Sequence, residues 1–297
     1  MALARPARTL SLTVDSGRMM QVLALVREVG MLVVGERTRG LQVREKSPGD
    51  PVTHADELAN AKLVGALREL FPDAGIVAEE SPHQASEWHP DGVTLFVDPI
   101  DGTRDYVAGG ADFSVMVGAV ERGVPVWGVV YEPAKDSMAY AWQGRAFVRT
   151  KTGTQALVLV DGGELQESVV VVSRSRSGGR IGQFVDSLGA REVRRVGGMG
   201  TKLMQVATNQ AQGFVQPVGG GYAWDSAAGE AILRAMGACI TDALGAALSY
   251  REPDNRRLHG IVAAAPALHA ELVDRTRTAA AQMSMDGYLP SWTPRAF

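Results

Sequence analysis

The residues best suited to chemistry lie in one stretch, Asp98-Pro99-Ile100-Asp101-Gly102-Thr103, directly behind the apolar run Val93-Thr94-Leu95-Phe96-Val97. Proline cannot donate to a ladder, and the residue before it is pushed out of helical geometry, so the pattern predicts a buried strand stopping at Asp98-Pro99. Asp98 and Asp101 then stand three apart around a rigid turn, where their carboxylates can converge, and the Ile100 carbonyl between them is free to join. Such an all-oxygen set suits a hard cation. The backbone N–H groups of Gly102 and Thr103 open a short predicted helix over 104–107, and amides at a helix start attract phosphate. Six residues thus combine metal ligands with an anion seat, although an isolated Asp-x-x-Asp-Gly is often only a turn.

Three more acids sit where secondary structure would present them. Asp56 closes Asp50-Pro51-Val52-Thr53-His54-Ala55-Asp56 and starts an amphipathic helix over 56–70, with Leu58, Leu63, Leu67 and Leu70 on one side. Alone it reads as an N-cap or first-turn acid complementing the helix dipole. Glu79 ends a short apolar strand over 75–78, where one glutamate is ordinarily just solvated. Asp225, in Trp224-Asp225-Ser226-Ala227-Ala228-Gly229, is a natural N-cap for a helix over 224–236 whose small residues allow close packing.

The elements that must position these acids follow from periodicity. Helical spacing covers 19–36, and 42–51 is polar and mobile in composition. Strand-like runs at 113–120, 124–131 and 138–147 read as an antiparallel meander, with Trp127 and Trp142 as core aromatics. The glycine-rich stretch 150–163 marks a subdomain boundary, dividing the chain into 1–160 and 161–297. Beyond it, strands at 168–172, 192–196 and 213–218 alternate with helices at 179–188, 200–208 and 224–236. Strands near Cys239 and Ile261 and a helix over 265–281 complete an α/β layer.

Composition narrows the partners. The 297 residues are 45% hydrophobic, enough for a large core, and the net charge of −3 gives no basic character of the kind nucleic acid requires. A single cysteine, Cys239, rules out an internal disulfide and a cysteine-built metal site, which fits a reducing cytoplasm. The longest apolar stretch, 19–34, is broken by Arg27 and Glu28 and cannot span a bilayer. The chain is therefore expected to be cytoplasmic, with neither nucleic-acid nor membrane partners.

The hexapeptide behind its strand resembles the signature of the inositol monophosphatase family, magnesium-dependent and lithium-sensitive phosphomonoesterases. The Asp-x-Val-Thr-x-Ala-Asp run ending at Asp56, the Glu79-Glu80 pair and the Trp224-Asp225 motif resemble three further family motifs in the same order. The likeness implies an α/β (α+β) fold, a layered αβαβα sandwich of the inositol monophosphatase and fructose-1,6-bisphosphatase type. It implies Glu79, Asp98 and the Ile100 carbonyl around one magnesium, Asp98, Asp101 and Asp225 around a second, and a weaker third ion at Glu79. Manganese is the expected substitute, with lithium and calcium as inhibitors. A water nucleophile oriented by Thr103, aligned by Asp56 and helped by Glu79 would attack a phosphate seated on Gly102 and Thr103. A homodimer is compatible with the resemblance.

Substrate choice rests on the second half. Inositol-specific members carry an acid before Trp-Asp, whereas no Asp or Glu lies between Ala207 and Trp224 here, and Gln216 or Val218 takes the place. Val171-Val172-Ser173-Arg174-Ser175, Gly200-Thr201-Lys202 and Val129-Val130-Tyr131-Glu132-Pro133 look like the bacterial 3′(2′),5′-bisphosphate nucleotidase branch. From Arg174 to Lys202, seven basic residues face two acidic ones, a local excess able to bind a second phosphate. Ser173, Arg176 and Lys202 are the candidate substrate contacts. The expectation is removal of the 3′-phosphate of adenosine 3′,5′-bisphosphate. Its rivals are an inositol-1-phosphatase, or a phosphatase of another polyol or amino-alcohol ester, and a catalytically silent regulatory protein.

Overall fold

The structure, a computed structural model, describes residues 14–81, 87–175, 179–251, 256–257 and 259–285. Chain order runs α1 (Ser16–Arg39), β1 (Val43–Ser47), β2 (Asp50–Thr53), α2 (His54–Leu70), β3 (Gly75–Ala78), β4 (Val93–Asp101), α3 (Thr103–Val107), β5 (Ser114–Glu121), β6 (Val124–Glu132), β7 (Ser137–Trp142), β8 (Arg145–Thr150) and β9 (Gly153–Ala156). It continues through β10 (Val169–Ser173), α4 (Gly179–Asp186), β11 (Glu192–Val196), α5 (Met199–Ala207), β12 (Gly213–Gln216), α6 (Ala223–Ala235), β13 (Cys239–Thr241), β14 (Ile261–Ala264) and α7 (Pro266–Met285).

Strand parity sets the layers. Leu95 and Val97 of β4 join Val115, Val117 and Val129 in a core with α1 and α2 residues such as Val22, Val26 and Leu63. Phe96, between them, points to the opposite face of the seven-stranded sheet β3-β4-β5-β6-β7-β8-β9. There it meets Leu203 of α5, Ala227 and Ala228 of α6, and Val171, Phe214 and Ala263 of the five-stranded sheet β11-β10-β12-β14-β13. The other face of that second sheet, Val170, Val172, Val215 and Val262, packs on Val185 of α4 and on Leu268 and Leu272 of α7. Successive side chains of a strand face opposite ways, so each sheet is apolar on both faces and needs helices on both. The result is the αβαβα sandwich, with α5 and α6 as its middle layer.

Helix α6 can sit this close to the first sheet because glycines lie beneath it. A Cβ on Gly128 would come within 2.4 Å of the Ala228 carbonyl oxygen, and one on Gly118 within 2.5 Å of the Ala228 nitrogen. The small residues of Trp224-Asp225-Ser226-Ala227-Ala228-Gly229 pack here as their size dictates.

Four local expectations need correction. β4 does not stop at Asp98-Pro99 but runs to Asp101, with a register shift between Asp98, opposite Met116, and Asp101, opposite Ser114. Its neighbour β3 pairs no further than Val97, so Pro99 costs no ladder bond on that side, and a bulge absorbs the turn. The polar 42–51 segment is an antiparallel β1–β2 hairpin. The 138–147 run is two strands, β7 and β8, because Gln143 and Gly144 both take positive φ (51° and 70°) and turn the chain. Part of the glycine-rich boundary stretch is β9, the edge strand of the first sheet. Among the described residues, no helix is long and apolar enough to cross a membrane.

Candidate active site

The three carboxylates Asp98, Asp101 and Asp225 each present an oxygen within 4.8 Å of the others. Two come from the bulged end of β4, the third from the first turn of α6, carried there by the packing on Gly118 and Gly128. Asp225 is the third residue of its helix rather than the N-cap, and its carboxylate accepts the Tyr222 amide.

The two β4 acids are held differently. Asp101 Oδ1 accepts the Met199 amide at 2.7 Å, and Oδ2 accepts the Gly200 amide at 2.7 Å and the Ser114 hydroxyl at 3.0 Å. Burial raises its carboxyl, while Lys202 and the α5 amides oppose the rise. Asp98 is 1% exposed, and neither of its oxygens accepts from an N–H or alcohol donor; its one side-chain partner is the neighbouring Glu79 carboxyl. Its carboxyl stands well above the usual carboxylate range, first through burial and then through the charges of Glu79, Asp101 and Asp225. Burying an unpaired carboxylate is expensive, and a buried polar group without a partner calls for an explanation. A hard divalent cation answers both, since the donors are all oxygens and the orphaned pair lies beside two further acids.

Glu79 lies outside the three-acid group but adjoins Asp98, whose carboxyl it helps to raise. It is paired with Lys46 of the β1–β2 hairpin, Nζ to Oε1 at 2.8 Å, and the same ammonium bonds Glu80. Burial pushes the Glu79 carboxyl up and Lys46 opposes it. The Ile100 carbonyl is not free as expected: it accepts the Thr103 hydroxyl at 2.9 Å, leaving its second lone pair.

Asp56 occupies the third position of α2, which begins at His54, so it closes a capping box instead of starting the helix. Its Oδ2 accepts the Thr53 amide at 2.7 Å and hydroxyl at 2.6 Å, and its Oδ1 lies 3.3 Å from the Thr103 hydroxyl. Burial lifts its carboxyl to about 6, against the Thr53 bonds. Gly102 holds φ +86°, and an added Cβ would approach the Asp112 carbonyl oxygen to 2.6 Å, so only glycine fits where the anion seat meets the α5 loop.

The second-half candidates diverge. Ser173, 9% exposed, ends β10 with its hydroxyl 3.4 Å from that of Ser175. Arg176 lies outside the described residues. Lys202 is 4% exposed and donates to the carbonyls of Gly197 at 3.0 Å and Gly198 at 2.6 Å, closing the loop that starts α5. Several contributors escaped sequence reading. Lys46 sits in a stretch whose polarity hid its partner. Arg174 follows β10 and bonds both Asp105 and Asp112, while Asp112 also accepts the Gly197 amide at 3.2 Å, so it ties the two halves at the rim. The α5 amides that hold Asp101 were signalled only by Gly197-Gly198 ahead of a helical run.

Acids presented on two β4 positions and one α6 turn, beside a glycine-opened helix start, define a metal-assisted phosphoester site. The profile of the inositol monophosphatase family matches residues 18–281, and the chain belongs to that family. It is therefore a phosphoric monoester hydrolase of a magnesium-dependent family. Among curated relatives, the 3′(2′),5′-bisphosphate nucleotidase CysQ of Shigella flexneri is 31% identical over 239 residues, 77% of this chain and 92% of that protein. The Nus factor SuhB of Haemophilus influenzae is 28% identical over 250 residues, 82% of this chain and 88% of that protein. Of solved structures, the Thermotoga maritima IMPase superposes with a TM-score of 0.77 at 26% identity, covering 90% of this chain and 99% of that one.

Proposed function

We propose that the enzyme hydrolyses the 3′-phosphate of adenosine 3′,5′-bisphosphate. The chemistry is carried by one observation, the buried Asp98 carboxylate, without an N–H or alcohol donor, held against Asp101 and Asp225. The substrate is supported by the likeness to the CysQ nucleotidases over more than nine-tenths of their length. It is also supported by the absence of an acid where inositol-specific members carry one before Trp-Asp, the place being taken by Gln216, which is 3% exposed and bonds the Gly220 carbonyl at 2.9 Å, or by Val218.

In this reading Asp98, Asp101, Asp225, Glu79 and the Ile100 carbonyl hold the divalent cations, with Lys46 displaced from Glu79. Such cations neutralise phosphoryl charge and stabilise the leaving oxygen. The amides of Gly102 and Thr103 seat the phosphate. The Thr103 hydroxyl, held between Asp56 and the Ile100 carbonyl, orients an attacking water, and Glu79 takes its proton. Ser173 contacts the 5′-phosphate side of the substrate, and Lys202 shapes the α5 loop from below. Two or three magnesium ions, a small phosphorylated metabolite as partner, and a cytoplasmic setting complete the proposal.

The test is phosphate release with magnesium from adenosine 3′,5′-bisphosphate, inositol 1-phosphate, fructose 1,6-bisphosphate and histidinol phosphate, side by side. The nucleotide is expected to give the largest kcat/KM. A preference for inositol 1-phosphate would replace the substrate and leave the chemistry standing.

A further inference from the structure

The aromatic pair at the start of α6 is used by nothing described so far. Tyr222 and Trp224 stack with centroids 4.4 Å and planes 12° apart. Trp224 is 4% exposed, whereas Tyr222 is 38% exposed, so a buried indole backs a phenol ring that stays open to solvent. Among the described residues, large aromatic side chains are mostly covered, and Tyr222 stands apart from them.

Its location is equally specific. The Tyr222 amide bonds the Asp225 carboxylate, which anchors the open ring beside the three-acid group. Glycines precede it, Gly220 at φ +141° and Gly221 at φ +92°, and a Cβ on Gly221 would lie 3.0 Å from Asp225 Oδ2. A side chain at Gly221 would therefore crowd the Asp225 carboxylate, which glycine avoids. The loop is also braced. Gly220 donates to the Arg257 carbonyl at 2.8 Å, and the Arg257 amide donates to Gly221 at 2.9 Å. The Arg257 side chain, 6% exposed, donates Nε to Ser226 Oγ at 2.9 Å and Nη1 to the Ser249 carbonyl at 2.6 Å. A rigid, pre-stacked aromatic offers contact area at low entropic cost.

We infer that Tyr222 is the platform on which the nucleobase of the substrate stacks while its 3′-phosphate is seated on the amides of Gly102 and Thr103, beside the cation-holding acids Asp98, Asp101 and Asp225. The inference rests on the nucleotide reading above and adds the residue that selects for it. A planar heteroaromatic base presents a π-face to the ring, and a polyol phosphate presents none.

The experiment uses the full chain with magnesium and compares Tyr222→Ala, Tyr222→Leu and Tyr222→Phe. Leucine keeps apolar bulk on Trp224 without a π-face, which guards against loss of folding in the alanine variant. The readout is the ratio of kcat/KM for adenosine 3′,5′-bisphosphate to that for inositol 1-phosphate, with adenosine 5′-monophosphate binding followed by tryptophan fluorescence. Alanine and leucine are expected to lower the ratio about tenfold, mainly through KM for the nucleotide, as expected for loss of one base stack. Phenylalanine is expected to keep it. A ratio unmoved by alanine and leucine, or lowered equally by phenylalanine, overturns the platform while the nucleotide reading stands. A wild-type enzyme that cleaves inositol 1-phosphate but not the nucleotide overturns both.

Discussion

The carboxylate of Asp101 is tied to the amide of Met199 at 2.7 Å, across ninety-eight residues of chain, whereas Asp98, three positions earlier, has no N–H or alcohol donor and meets only the Glu79 carboxyl. One acid is fixed before any cation arrives, and the other waits for one. Substitution should separate the two. Asp98→Asn removes an unpaired buried acid, so the metal-free protein should melt no lower than wild type, yet lose the thermal stabilisation that magnesium confers. Turnover should fall by more than the ~10–100-fold that outer-shell partners of a metal site cost. Asp101→Asn breaks charge-assisted bonds to α5 and should cost about 1.5–3 kcal/mol even without metal. Thermal melts with and without magnesium, beside turnover assays, check both.

Loading the site must displace protons. Asp98 is held well above the usual carboxylate range by burial and by Glu79, Asp101 and Asp225, so its proton leaves as a cation binds. Magnesium affinity should therefore rise with pH. Titration calorimetry in buffers of different ionisation enthalpy should report proton release, reduced in Asp98→Asn.

Asp56 should make folding pH-dependent. Its carboxyl moves from 3.8 to about 6 on folding, so the fold favours the protonated form. The stability it contributes is full below about pH 4 and is lost as pH rises through 6. At about 1.4 kcal/mol per pH unit, the span is on the order of 3 kcal/mol. Asn does not titrate, so the stability difference between Asp56→Asn and wild type should shift in favour of Asn by that amount from pH 4 to 7. Denaturant midpoints of the metal-free proteins measure it. A difference flat across the range would mean that Asp56 titrates as it does in water.

Lys202 is engaged beneath the α5 loop rather than open to ligand. Lys202→Met removes the ammonium donor from the Gly197 and Gly198 carbonyls, leaving Gly198 only the residue-202 amide, and strips a cation from Asp101, so the ligand-free protein should lose about 1–3 kcal/mol. Were Lys202 a phosphate contact alone, ligand-free melting would be unmoved and only KM would rise.

The layered fold and the three-acid group were legible through the resemblance of four motifs to the inositol monophosphatase family; local punctuation alone placed each acid at an element end. Asp98 and Asp101 follow a β-branched run, and Asp225 opens a run of small residues. The missed features are ones that only tertiary contact creates. Lys46 lies in a polar hairpin on β1, which is exposed along its whole length, so periodicity had nothing to register. Asp56 reads as a cap from sequence and is one, but its second oxygen reaches Thr103, forty-seven residues on. The bulge that carries β4 past Pro99 depends on where β3 ends, which no local pattern states.

Helix α6 belongs by sequence to the second half and by packing to the first sheet, and it delivers the last acid. A nascent chain that has emerged only as far as β9 carries Asp98 and Asp101 but has neither Asp225 nor the α5 amides that fix Asp101. Premature termination anywhere before α6 therefore yields a product unable to assemble the three-acid group. Catalytic competence arrives late in synthesis, which makes activity itself a reporter of completed translation and of correct docking between the sheets.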